Sequence, residues 1–439
     1  MPSRSPAPAP SETCPRSCPQ DALSPSSLPS GSGTDGALPA VAAAVPLWRQ
    51  QLHHGLEALP AARRRLLRSL EPAASAQLQP SSTAGTAAGP LLDLASNDYL
   101  GLSRHPAVLA AAAAELAVSG LGAGASRLVC GTRPVHLQLE AALGAWLGRE
   151  RALLFPSGFQ ANLAAVTALT DRHSLVLADR LIHHSLLAGV RCSGARLQRF
   201  AHNDPADLER RLLAARRQRP GGRVLVLCES LYSMEGTSPP LAAVAALCAR
   251  HGAPLLVDEA HALGVIGAGG RGLAHGLAAV TIVSGTFGKA FGSGGAFLAC
   301  DSLVGEWLLQ SSGAFRYTTA LAPPLAAGAL AALGEIQADP LAAIALLERA
   351  ERWRQGLAAA GWPRPPGSGP ILSVLIGADD QALQLQQQLE VAGLLSVAIR
   401  PPTVPPGTAR LRLVLRQDLP SGTLTRLLAA LGPPPASGA

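Results

Sequence analysis

Lysine occurs once in this chain, at Lys289 within SGTFGKAFGSGG, although Lys and Arg together number 36. Arginine serves surface charge and carboxylate pairing, but it stays protonated and is no amine nucleophile. A lysine amine loses its proton when desolvated and then condenses with a carbonyl as a Schiff base. Scarcity alone does not separate chance survival from function, so the setting must decide. Two further groups with chemistry lie upstream in LLVDEAHALG, namely Asp258 and His261. The run Asp258–His261 spells D-E-A-H, as helicases do, but an ATPase needs G-x-x-x-x-G-K-[ST] upstream of it. The single Gly-Lys pair, Gly288–Lys289, lies downstream, is followed by Ala290 and has Val283 at the first glycine position. An ATPase is excluded.

The positioning elements are legible in the pattern. RALLF, HSLVLAD, ARLQRF, GRVLVLCES, APLLVDEAH, AVTIVSG and GGAFLAC read as short apolar strands. SGFQANLAAVTALT, RLIHHSLLAGVRCSG, DPADLERRLLAARRQ (with Asp204 as N-cap) and PLAAVAALCARHG read as the helices between them. Nearly all-apolar strands alternating with amphipathic helices imply a mostly parallel sheet covered on both faces. Asp258 then ends a strand, where open parallel sheets place ligand sites. His261 lies three residues on, and Lys289 follows the next strand. Carboxylate, imidazole and amine converge. Pyridoxal phosphate asks for a Schiff-base lysine and an acidic partner for its ring nitrogen. Asp258 suits the second role, and His261 can hydrogen-bond the ring hydroxyl. FPSGFQAN places Ser157, Gly158 and Phe159 between a strand and a helix, where free N–H groups and the helix dipole favour an anion. Thr286, three residues before Lys289, can add a hydroxyl.

The chain of 439 residues is long enough for more than one domain. Residues 1–45 are rich in Pro, Ser and Ala and are expected to be disordered. Residues 46–95 form an N-terminal helical arm, helical from Leu47 to Leu70 with a break near Pro60, followed by a loop in QPSSTAGTAAGP. Residues 96–322 make the large cofactor-binding domain and residues 323–439 a smaller C-terminal α+β domain. The net charge of +7 comes from scattered arginines with 3% aromatics, which reads as solvated surface and not as a nucleic-acid interface. No apolar run reaches membrane-spanning length; LAAAAAELAV is short. The N-terminus has neither a basic start nor an apolar core of a secretory signal. Seven widely spaced cysteines fit reduced thiols in the cytoplasm, and no metal site is expected.

ASNDYLGLSRHP, ALLFPSGFQAN, ADRLIHHSLLAG, RFAHND, LVDEAHALGVIGAGGRG and SGTFGKAFGSGG together resemble the α-oxoamine synthases. These are pyridoxal-phosphate transferases of fold type I that condense a small amino acid with an acyl thioester and release carbon dioxide. The resemblance runs from about Leu47 to near the C-terminus and implies an α/β fold and a homodimer. VAIRPPTVPPGTARLRLVL is most similar to the biotin-pathway branch, which implies L-alanine and a pimeloyl thioester carried on CoA or a carrier protein. Branches that use glycine or serine are the alternatives. So are non-catalytic partner subunits, which lose the lysine kept here.

The resemblance also implies roles. Lys289 carries the cofactor and later moves the α-proton; Asp258 pairs with the ring nitrogen, and His261 and Ser233 with the ring oxygen. His183 stacks on the ring; Gly158, Phe159 and Thr286 hold the phosphate. Arg412 binds the amino-acid carboxylate beside Asn97; Thr403 contacts substrate, and Arg68 meets the far carboxylate of the acyl chain. Thr318 and Thr319 reach the phosphate across a dimer interface. Strand alternation puts Arg410 on the face of Arg412, so preferring Arg412 rests on the resemblance and Arg410 reads as local pairing. His184 and His202 read as packing or strand-end residues. LGAGASRLVCGTRPVH departs from the biotin branch, having less glycine and no histidine near Leu128.

Overall fold

The computed structural model describes residues 46–81 and 89–434. The stretch 1–45, expected to be disordered, and most of the 79–90 loop lie outside the described residues. The chain divides into two units, Met1–Leu59 and Pro60–Ala439. In the first unit, α1 (Leu47–Glu57) is a helix whose residues are all exposed. It does not run on to Leu70. Pro60 takes φ −54° and ψ 142°, and only a 3-10 turn, Ala61–Arg63, follows. Prolines 60, 72, 80 and 90 punctuate this segment, and each removes a backbone donor that a helix interior needs. In place of a helical arm the chain forms β1 (Leu70–Pro72), β2 (Gln77–Pro80) and β3 (Leu91–Asp93), an antiparallel ribbon.

After α2 (Pro106–Ser119) and α3 (Pro134–Leu147) comes the expected alternation. It runs β4 (Arg151–Phe155), α4 (Gly158–Leu169), β5 (Leu175–Asp179), α5 (His184–Ser193) and β6 (Arg196–Phe200). Then follow α6 (Pro205–Gln218), β7 (Val224–Glu229), α7 (Leu241–Arg250), β8 (Leu255–Asp258), β9 (Ile282–Thr286) and β10 (Ala296–Cys300). The strands form a seven-stranded sheet in the order β4-β10-β9-β8-β7-β5-β6. Only the pairings of β10 are antiparallel; β9, β8, β7, β5 and β6 run parallel. Asp204 caps α6 as expected, its carboxylate accepting from Ala206 N and Asp207 N.

Burial explains the apolar strands. In β7, Val224, Val226 and Cys228 face one core with α3, α6 and α7, while Leu225 and Leu227 face another with α4 and α5. A strand buried on both faces has no polar side to show. At roughly 25 cal/mol per Å² of apolar surface removed from water, these two layers supply most of the driving force that fixes the strand ends.

Beyond α8 (Ser302–Ser311) and α9 (Gly313–Arg316), α10 (Pro323–Ala338) was expected to open the smaller domain. It packs on α2 and α3 instead, giving Ala326, Ala329, Ala332, Leu333 and Ile336 to the first core. Its small residues allow close approach: a Cβ on Gly328 would lie 3.6 Å from Val108 and 3.8 Å from Ala112. The third core forms from α11 (Pro340–Ala359), β11 (Ile371–Gly377), α12 (Asp379–Val391) and β12 (Leu394–Leu395). It is completed by β13 (Val397–Ile399), β14 (Ala409–Val414) and α13 (Thr423–Leu431), together with Leu92, Leu94 and Tyr99 from the N-terminal side. β12 pairs in parallel with β3, which ties the two chain segments together. Among the described residues, no single helix is long and apolar enough to cross a membrane.

Candidate active site

The parallel strands all end on one edge, so Asp179, Phe200, Glu229, Asp258 and Thr286 close β5, β6, β7, β8 and β9 along it. Register places Glu229 opposite Asp258, and Asp258 opposite Ser284. Lys289 follows β9 by three residues and is half-buried. Burial lowers its amine from 10.5 to about 8; Asp258 and Glu229 oppose that shift and Arg412 adds to it. A share of the amine is therefore unprotonated near neutral pH, which an ordinary surface lysine is not.

Asp258 is held at both oxygens. Asn162 Nδ2 donates to Oδ2 at 2.7 Å, and Ala260 N to Oδ1 at 2.9 Å. Asn162 also donates to Ser185 Oγ at 2.9 Å, and Ser185 contacts His183 Nδ1 at 2.7 Å. Buried Glu229 accepts the His183 N–H. Its carboxyl sits well above the usual range, first because of burial and then because of Asp258. His183 is lowered by burial, with Asp258 opposing and Lys289 adding. Hydrogen bonds and strand register join both carboxylates and His183, with Lys289 three residues beyond the adjoining β9.

A second chain of contacts starts from β14. Arg412 donates through Nε to Ser233 O at 2.6 Å and through Nη2 to Asn97 Oδ1 at 2.9 Å. Its charge also acts on the buried Tyr99 phenol. Tyr99 lies 2.6 Å from His261 Nδ1. Burial keeps the Tyr99 phenol protonated and drives His261 well below its ordinary value. With both neutral, Tyr99 O–H donates to Nδ1, a contact of 2.6 Å against 3.4 Å to its other acceptor, Asn97 Oδ1. The His261 proton then sits on Nε2 as a free donor.

The first turn of α4 offers an anion cradle. Ser157 caps the helix by accepting Gln160 N at 3.3 Å. The N–H groups of Gly158 and Phe159 have no partner among the described residues, as first-turn donors do not. Thr286 borders them: a Cβ on Gly158 would lie 3.7 Å from Thr286 Cβ. The Thr286 hydroxyl itself donates to Gly295 O at 3.0 Å and accepts Gly288 N–H at 3.3 Å. An amine, a clamped carboxylate, an Nε2–H and free helical N–H groups fit a phosphorylated, nitrogen-containing aromatic aldehyde.

Three expected residues do not join this group through their side chains. Arg68 makes a two-pronged pair with Glu390 of α12, at 2.6 and 3.2 Å, so its guanidinium is already engaged. Thr403 is exposed on the turn after β13, its N–H donating to Arg400 O at 3.1 Å. Ser233 contributes its carbonyl to Arg412. Arg410 pairs locally, with Glu235 Oε1 at 3.1 Å. Tyr99, Asn162, Ser185 and Glu229 are the residues that sequence reasoning passed over. Asn162 had a usable signal, being an amide one turn after Gly158 in the mostly apolar run NLAAVTAL.

Glu259 braces the loop beyond Asp258. Its carboxyl accepts Ala274 N at 2.6 Å and Leu273 N at 3.3 Å, and burial raises it to about 7. Between an unfolded value of 4.5 and about 7, the native chain keeps a proton that the unfolded chain releases. Stability therefore falls as pH rises through that window. E259Q is expected to flatten the thermal midpoint between these pH values while leaving the catalytic pH profile in place. Melting curves across the window check this.

Residues 89–431 match the family model described as aminotransferase class I and II. The 8-amino-7-oxononanoate synthase of Gluconacetobacter diazotrophicus is 44% identical over 348 residues, covering 78% of this chain and 87% of that protein. Among solved structures, a variant serine palmitoyltransferase from S. paucimobilis with a bound PLP–myriocin aldimine is similar at TM-score 0.78 and 28% identity, over 88% of this chain and 94% of that one. The 8-amino-7-oxononanoate synthase of Francisella tularensis is similar at TM-score 0.66 and 26% identity, over 78% of this chain and 96% of that one. On its sequence, its mixed seven-stranded sheet and the cluster at its strand ends, the chain belongs to the aminotransferase class I and II family.

Proposed function

We propose that this chain condenses L-alanine with a pimeloyl thioester to give 8-amino-7-oxononanoate, the free thiol carrier and carbon dioxide, a step of biotin synthesis. It is a pyridoxal-phosphate-dependent enzyme. The single observation that carries the reading is the placement of the chain's one lysine, Lys289, three residues beyond β9 and next to the strand that ends on Asp258. When bound, the cofactor supplies an electron sink for the electron pair left at the α-carbon of the amino acid.

The residues present suit that chemistry. Lys289 would hold the cofactor aldehyde through its amine, and the same amine is the base placed to take and return the α-proton. Asp258, fixed by Asn162 and Ala260, would pair with the ring nitrogen and favour its protonated form. His261 would donate from Nε2 to the ring oxygen, with Ser233 beside it. His183, its backbone anchored on Glu229, would cover the ring face. Gly158 and Phe159 would hold the phosphate through their free N–H groups, with Thr286 bordering it. Arg412, aimed by Asn97 and the Ser233 carbonyl, receives the alanine carboxylate.

R412A is expected to raise KM for alanine by ~10–100-fold, from the ~1.5–3 kcal/mol of a charged hydrogen bond. KM for the acyl donor should change far less, which initial rates with each substrate varied will show. The amino-acid choice is tested by thiol release from pimeloyl-CoA with alanine, glycine or serine. Alanine should win; preference for serine would move the chain to the serine palmitoyltransferase branch.

The cytoplasm and a homodimer complete the proposal. The five described cysteines are free. Val129 and Tyr317 are 78% and 79% exposed beside the Ser126–Thr319 bridge, an apolar surface suited to a second copy. Thr318 and Thr319 lie there too, ready to reach a partner's phosphate.

A further inference from the structure

We propose that a pocket beside the active site, walled by Arg180, Arg199 and Arg410, binds an anionic group of the acyl donor. This rests on the acyl-transfer reading above. The pocket measures about 510 Å³ and is closed on its other sides by Leu181, His202, Glu235, Pro405 and Thr408.

Its position follows from strand register. Arg180 immediately follows β5, and Arg199 is the penultimate residue of β6, paired with Ala178. Both therefore stand at the carboxyl edge of the sheet, where ligands of open α/β folds sit. Arg410 and Arg412 are two residues apart on β14 and point the same way. Arg412 grips the Ser233 carbonyl, while Arg410 grips Met234 O at 3.3 Å and Glu235 Oε1 at 3.1 Å. One strand face thus feeds the amino-acid site and this pocket side by side.

The charge in the pocket is unbalanced. Glu235 is engaged by Arg410. Asp179, behind the pocket, is consumed by His202 at 2.9 Å, by Leu181 N at 2.9 Å and by Asn203 N at 2.8 Å. Arg180 and Arg199 are both exposed. Their guanidinium groups have no hydrogen-bond or ion-pair partner among the described residues. Arg68, the residue expected to meet the far carboxylate, is spent on Glu390. Two free forks near a third arginine suit a carboxylate or phosphate, which arginine binds bidentately. A pimeloyl thioester of CoA carries both, at opposite ends.

Three donors separate the two sources: pimeloyl-CoA, pimeloyl-pantetheine without phosphates, and the CoA thioester of monomethyl pimelate without a free carboxylate. The double variant R180A/R199A is expected to raise KM for pimeloyl-CoA by ~10-fold or more, with kcat and KM for alanine near wild type. If the rise persists with pimeloyl-pantetheine and vanishes with the methyl ester, the pocket takes the carboxylate. If it persists with the methyl ester and vanishes with pimeloyl-pantetheine, the pocket takes phosphate. Either pattern supports the proposal; an unchanged KM for all three donors overturns it. Calorimetric titration with free CoA and with pimelate needs no turnover. Weaker binding of either to the double variant supports the pocket, and equal or absent binding to both proteins overturns it. A wild-type protein that binds but does not turn over would count against the acyl-transfer reading and leave the pocket standing.

Discussion

K289A is expected to lower turnover by ~10³-fold or more and to abolish the absorption band that wild-type protein shows at about 420 nm with pyridoxal phosphate. The size follows from the removal of two functions at once. The variant lacks the amine that meets the aldehyde and the base that moves the α-proton, and no other lysine exists to substitute. K289R is the sharper variant. It keeps a cation in the field of Asp258 and Glu229, yet an arginine neither condenses nor deprotonates. It should be as inactive as K289A. An active K289R enzyme would mean that Lys289 serves only as a charge. K289A should cost little stability, because burying the lysine cation is unfavourable, as its lowered value shows.

D258N is expected to lower turnover by ~10²–10⁴-fold, the range typical of a removed electrostatic partner. The substitution keeps the shape and removes the charge, so the ring nitrogen loses the group that favours its protonated form. Asn162 Nδ2 now donates to Oδ2 of Asp258, and an asparagine placed there can still accept that bond in one amide orientation, giving up only the Ala260 N–H bond at Oδ1. Folding should therefore survive, which a melting curve would verify. The spectrum should retain the absorbance near ~420 nm, because Lys289 is untouched. Retained colour with lost turnover separates this role from that of Lys289. Asp258 also opposes the lowering of His183, so in D258N His183 should titrate lower still, a shift that ring-proton NMR can read.

Some of this site was legible in the residue order. Strands VLVLCE and LLVD are apolar at every interior position because cores lie on both their faces, and a carboxylate at the end of such a run stands out. Lys289 stood out because it has no rivals. Tyr99 was not legible: its contact, His261, lies 162 residues away, and only the fold brings them within 2.6 Å. Glu229 looked like a strand-end residue; the register that sets it opposite Asp258 is a property of pairing. The pair between Arg68 and Glu390 spans 322 positions, so nothing local warned that Arg68 was occupied. The placement of α10 failed for a related reason. Its alanine stripe suits any close-packed neighbour, and the choice of α2 over α11 depends on which surface the fold presents.

The most direct measurement reduces the protein with borohydride after incubation with pyridoxal phosphate, then maps the modified peptide by mass spectrometry. Because the chain has one side-chain amine, the outcome is unambiguous. The account predicts one stable cofactor adduct per chain, on Lys289. An active enzyme with that peptide unmodified would contradict it.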